Sequence, residues 1–170
     1  WIVAACNLLL VMALYTISRL FFYWVNIDLY PNVSTDHLFE MLVGGLRFDL
    51  TALLYLNSLY LLLVLLPLPV RIRNHKTYLC AAKWAFWIPN ILGFIANCMD
   101  MVYVRFTDRR TTCTIFTEFQ NDGNLANIIG QSMAQYWYVT LFGIVIIALL
   151  IVCTRKKWQV NTTCKGWVYY

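Results

Sequence analysis

The residues of this sequence with the most chemical potential are ionisable side chains set within apolar runs. Arg19 interrupts the run that ends at Val25. Arg47 and Asp49 stand in Gly45-Leu-Arg-Phe-Asp-Leu50, and Asn97 and Asp100 in Asn97-Cys-Met-Asp100. A charge at the centre of a bilayer costs at least about 2.5 to 3.5 kcal/mol, so each of these needs a partner or a task. Asn97 and Asp100, three residues apart, share a helical face. Arg19 lies seven residues before Asn26, so at about 1.5 Å per residue it sits roughly 10 Å below the end of its helix. Two acids facing two arginines make a paired network, which is one way to tolerate them. The same guanidinium groups, followed in sequence by Arg105, Arg109 and Arg110, also suit phosphate oxygens, which they bind bidentately. Both readings stand at this level. Lys83 is nearer the end of its run and can snorkel.

Other chemistry is poorly supplied. His37 and His75 fall in loops on opposite sides of the expected membrane, and no Ser/His/Asp or Cys/His arrangement shares a face. Cys6, Cys80, Cys98 and Cys153 lie in apolar stretches and Cys113 and Cys164 in polar ones, without CxxC spacing. They read as small apolar residues, not as a metal or redox site. Gly44-Gly45 is not a phosphate loop. The chain is expected to hold neither catalytic residues nor a metal or other cofactor of its own.

The elements that must position these side chains follow from composition. Of 170 residues 61% are hydrophobic and 12% charged, where a soluble domain has roughly a quarter charged. The apolar residues fall in separate long runs, which excludes an ordinary soluble enzyme and predicts an all-α, polytopic transmembrane helix bundle. Four spans are expected, Ile2 to Val25, Leu46 to Leu66, Tyr78 to Val104 and Tyr136 to Thr154. The first is too long, and too aromatic through Phe21-Phe-Tyr-Trp24, for a signal peptide. The net charge of +5 comes from short clusters beside these runs, so it sets topology and does not point to nucleic acid.

Basic residues resist translocation. Arg71, Arg73 and Lys76 in the second connection, and Arg155, Lys156, Lys157 and Lys165 after the fourth span, have no acid among them. These segments are assigned to the cytoplasm. The first connection, with Asp28, Asp36 and Glu40 and no Lys or Arg, faces outward together with the charge-balanced third. The N-terminus is therefore inside, and Arg19, Arg47, Asp49, Asn97 and Asp100 gather toward the outer leaflet. Residues Asp36 to Leu46, with Leu38, Phe39, Leu42 and Val43 on one face, predict an amphipathic lead-in at the outer interface before the second span dives. Ser34, Thr35 or Asp36 would cap it. Pro67 and Pro69 end the second span, and Pro89 is expected to kink the third. The sequence begins at Trp1 and stops within Gly166-Trp-Val-Tyr-Tyr170. Both ends read as cut, the latter at the start of a fifth span near residue 166.

Two stretches carry a family resemblance. Gly45-Leu-Arg-Phe-Asp-Leu-Thr51 with Leu53-Leu-Tyr-Leu-Asn57, and Asn97-Cys-Met-Asp100 with Tyr103 and Arg105-Phe-Thr-Asp-Arg-Arg-Thr-Thr112, resemble the second span and the end of the third span in lipoteichoic acid synthase-like phosphoglycerol transferases. The style is that of members from Bacteroidetes-type bacteria. The resemblance implies five transmembrane helices in the bacterial cytoplasmic membrane, followed by an extracytoplasmic catalytic domain of the sulfatase and alkaline phosphatase superfamily. It further implies transfer of a phosphoglycerol group from a membrane phospholipid by a threonine and a divalent metal in that domain, which residues 1–170 do not include. What carries over to this chain is the membrane motif Arg47, Asp49, Asn97, Asp100, Tyr103, Arg109 and Arg110, which Arg19 joins by depth alone. A phosphoethanolamine transferase or a sulfatase-like hydrolase would have the same membrane layout. A stand-alone small transporter or scaffold is the rival from another class.

Overall fold

The computed structural model describes residues 2–29, 35–69, 72, 75–107, 131 and 134–155. Among these residues there are helices and no strands, as expected where the backbone must satisfy its own hydrogen bonds away from water. Helix α1 spans Ile2–Val25 and is followed by a single 3-10 turn, Ile27–Leu29. Helix α2 spans Thr35–Leu56 and α3 Ser58–Leu65. Helix α4 spans Lys76–Thr107 and α5 Trp137–Arg155. Three stretches, Val3–Val25, Lys76–Arg105 and Trp137–Arg155, are long and apolar enough to cross a membrane. A fourth is available if α2 and α3 form one bent span. The chain is thus all-helical with three to four candidate membrane spans, consistent with a multi-pass membrane protein. The expected fifth span lies outside the described residues.

The second span differs from its sequence reading. Helix α2 runs without interruption through Leu46, so the lead-in and the start of the expected span are one helix. The break comes eleven residues later at Asn57, where the two pieces bend by 62°. At the bend the Asn57 Nδ2 donates to Leu53 O at 3.0 Å, and its backbone N–H donates to the same carbonyl at 2.9 Å. A side chain that competes for the i−4 carbonyl is a standard origin of a helix break. Asn57 itself takes φ −97° and ψ 13°. Helix α3 stops where Leu66 turns to ψ 125° ahead of Pro67, the extended backbone that a following proline imposes. Helix α4 continues through Pro89.

Helix α4 packs against α1, α3 and α5, and α1 also against α2 and α5. Val11, Leu14, Leu53, Tyr60, Phe86, Phe94, Ile146 and Leu150 form the larger buried cluster, and Phe22, Val25, Met101, Val104 and Val139 a second one at the Val25 end. Aromatic pairs bind the helices laterally, with Tyr15 stacked on Phe94 at 4.6 Å and Phe21 on Phe142 at 3.8 Å between ring centroids. Outside, Phe48 is 77% and Tyr55 78% exposed. Such an apolar exterior is a liability in water and the proper surface in lipid.

Candidate functional site

On α1, Tyr15, Ser18, Arg19 and Phe22 recur at three- and four-residue intervals, which places them on one face. On α2, Gly45 and Asp49 are one turn apart and face α1. Arg19 Nη2 donates to Asp49 Oδ1 at 2.6 Å and to Gly45 O at 3.2 Å. The two charged side chains are 26% and 15% exposed. Gly45 lets the guanidinium lie against the backbone of α2, since a Cβ there would be 2.8 Å from Arg19 Nε and would overlap Nη1 and Cζ. From α4, Asn97 Nδ2 donates to Ser18 Oγ at 2.8 Å. Tyr15, Arg19, Phe22, Asp49, Asn97 and Asp100 together line a cavity of about 140 Å³.

Toward the Val25 end this cavity gives way to a polar knot. Arg105 Nε donates to Asn26 Oδ1 at 3.1 Å, and its Nη2 donates to Val25 O. The guanidinium is also 3.8 Å from Asp28 and lies over the Tyr136 ring at 5.9 Å. Asn26 is fully buried, and its Nδ2 donates to Phe22 O at 3.1 Å and Met101 O at 3.4 Å. Arg105 therefore satisfies a terminal carbonyl of α1, where the helix dipole is negative, and ties α1, α4 and the segment before α5 together. Its place in the last turn of α4 is the signal by which sequence alone could have given it a capping role.

Of the residues singled out by sequence, the structure brings Arg19, Asp49, Asn97 and Asp100 into one site. Arg47 is not among them. Two residues from both Gly45 and Asp49, it is turned about 200° around the helix and is exposed. Among the described residues, the cavity lining holds one guanidinium, Arg19, and two carboxylates, Asp49 and Asp100. Tyr103 is half-buried one turn beyond Asp100 and does not line the cavity. Arg109 and Arg110 lie outside the described residues.

Counting charges passes over neutral amides, and the structure holds a second buried polar site made of them. Asn57 Nδ2 donates to Asn90 Oδ1 at 3.2 Å and Asn90 Nδ2 to Asn57 Oδ1 at 2.8 Å, both residues being fully buried. Asn90 Nδ2 also donates to Phe86 O at 2.6 Å. Nearby, Asn7 Nδ2 reaches Tyr60 Oη at 3.4 Å, and Trp87 Nε1 donates to Thr154 Oγ1 at 2.9 Å. Each of these is a lone amide or hydroxyl in an apolar run, the pattern by which they could have been flagged.

The lining of the cavity offers a guanidinium, carboxylates, an amide and a phenol. The Ser18 hydroxyl beside it accepts from Asn97. Among the described residues no group of three or more His, Cys, Asp and Glu side chains is placed to hold a metal. The set is suited to holding a polar group. The chain matches no known protein family, curated protein or solved structure.

Proposed function

We propose that this chain is the membrane domain of a lipoteichoic acid synthase-like phosphoglycerol transferase of the sulfatase superfamily, seated in the bacterial cytoplasmic membrane with its N-terminus inside. It anchors an extracytoplasmic catalytic domain beyond residue 170, which would carry the divalent metal, and presents phospholipid headgroups to it. The observation that carries this reading is the meeting of the two stretches behind the resemblance. Gly45 and Asp49 come from the first, Asn97 and Asp100 from the second, and they converge on one cavity although about fifty residues separate them. Under the orientation set by the Lys and Arg distribution, that cavity lies roughly 10 Å below the outer end of α1. Arg47, exposed at the same level on the lipid side of α2, is within reach of phosphate groups by snorkelling.

The first test is to read the gene past the codon for Tyr170. A completed fifth span followed by a soluble domain with a metal-binding set is expected, and a stop codon would overturn the proposal. The second test uses the full-length protein in vesicles of labelled phosphatidylglycerol, where release of diacylglycerol reports transfer. Arg47→Gln is expected to lower that rate several-fold while leaving folding intact.

A small transporter is the second reading, because the break at Asn57 resembles the interrupted helices that hold solutes in transporters. Here, however, the polar groups of Asn57 at the break are engaged within the chain. Leu53 O takes two donors from Asn57, Leu61 N–H donates to Asn57 O at 2.8 Å, and the two amides bind each other. Solute flux through proteoliposomes of the purified chain would reverse this preference.

A further inference from the structure

Stretches 50–99 and 123–170 carry Lys and Arg and no acid, so the charges they hold find no carboxylate within their own helices. Lys83 is set furthest into one, seven residues or about 10 Å beyond the start of α4 at Lys76, where a charge needs a partner. Its ammonium stands 4.2 Å from the centroid of the Trp87 ring, and among the described residues it bonds no carboxylate or carbonyl. A ring face attracts a cation but leaves most of its three N–H donors unused.

The ring is itself fixed. Trp87 is buried and its Nε1 donates to Thr154 Oγ1 at 2.9 Å, while further along the pair Cys98 abuts Gly143. Helices α4 and α5 therefore run antiparallel, and Lys83, one turn before Trp87, lies toward the end of α5 that Arg155 closes. Arg155 is exposed, as is Lys76, which shares the Lys83 face of α4. The start of one helix and the end of the other meet here, so their dipoles offset and the side-chain charges set the field. Trp84, edge-on to Trp87 at 6.0 Å, is 51% exposed, and so is Ile88 one turn along. A small soluble anion would leave that apolar flank unused, and a zwitterionic lipid would bring its own ammonium toward three cations. We infer that Lys76, Lys83 and Arg155 hold the phosphate of an anionic phospholipid, with Trp84 and Ile88 against its glycerol backbone and acyl chain. Under the orientation proposed above this is the cytoplasmic leaflet, opposite the Arg19 cavity, and the site takes nothing else from that reading.

The test uses the whole chain in maltoside micelles, titrated separately with phosphatidylglycerol and phosphatidylcholine of the same acyl chains, with bound lipid counted by native mass spectrometry. The first phosphatidylglycerol is expected to bind about tenfold or more tighter, since each Lys or Arg near an anionic lipid contributes about fivefold. Lys83→Met keeps an apolar stem over Trp87 and removes the charge, and it is expected to weaken the preference about fivefold. Arg155→Gln, at an exposed position, is expected to do the same without touching the α4–α5 core, and Arg47→Gln on α2 to leave the preference intact. Equal binding of the two lipids by the parent chain, or a preference that survives both Lys83→Met and Arg155→Gln, would overturn the site. A preference lost in Arg47→Gln alone would overturn it too, while supporting the headgroup role proposed for α2. Displacement of the lipid by an equal concentration of sn-glycerol 3-phosphate would overturn the assignment to a lipid, and retention of the lipid upholds it.

Discussion

Replacing Gly45 by alanine isolates the contact on which the polar cavity is built. In a helix interior Gly→Ala is worth up to about 1 kcal/mol in favour of the helix. Here the added methyl would occupy the position of the Arg19 guanidinium, 2.8 Å from Nε and overlapping Nη1 and Cζ. The far end of an arginine can move, but moving it breaks the 2.6 Å bond to Asp49 and the 3.2 Å bond to Gly45 O. Hydrogen bonds to charged groups contribute about 1.5 to 3 kcal/mol, and exposed ion pairs below about 1. At 26% and 15% exposure the pair lies between those cases, so a loss of about 1.5 to 3 kcal/mol against a gain of about 1 leaves Gly45→Ala destabilised by roughly 0.5 to 2 kcal/mol. With Arg19→Met as background the clash is with a flexible apolar chain and no ion pair remains to lose. The same substitution should then stabilise by up to about 1 kcal/mol. The sign therefore reverses between backgrounds, which equilibrium unfolding in mixed detergent and SDS micelles can measure as a double-mutant cycle. Equal effects of Gly45→Ala in both backgrounds, or stabilisation in the parent chain, would refute the close packing of Arg19 on α2.

Three further outcomes follow from the buried polar groups. Asn57→Leu and Asn90→Leu each leave the other amide's Oδ1 without its donor while its Nδ2 keeps the i−4 carbonyl, so each single variant should be less stable than the parent by about 1 to 3 kcal/mol. The double variant should cost less than their sum, with a coupling near the upper bound of about 1.7 kcal/mol seen for membrane hydrogen bonds; additivity would deny the reciprocal bonds. Arg105→Met should accelerate backbone amide exchange over residues 22–29 relative to the middle of α1, because Val25 O and Asn26 lose their donor; unchanged exchange there would remove its capping role. Trp87→Phe should cost about 1 kcal/mol through the lost bond to Thr154, and in a Thr154→Val background that cost should largely vanish, which a thermal-stability cycle reports.

What the sequence determined by itself was the solvent and the segmentation. Runs of apolar residues near twenty long admit one economical structure in lipid, so the ends of α1, α4 and α5 fall within about three residues of where the runs begin and stop. Pro67 marked the end of α3 for a reason that is local to the backbone. The depth of Arg19, Asp49, Asn97 and Asp100 was legible too, because helical rise converts position into height. What the tertiary structure alone decided was azimuth and partnership. Arg47 and Asp49 have the same height and nearly opposite directions, and only the packing of α2 on α1 settled which of them faces Arg19. The partner of the Asn57 amide was decided likewise, since it is Asn90, thirty-three residues away. An amide in an apolar helix can bond its own i−4 carbonyl or a neighbouring helix. That choice is made by whichever side chain lies across the interface, which a one-dimensional pattern does not contain.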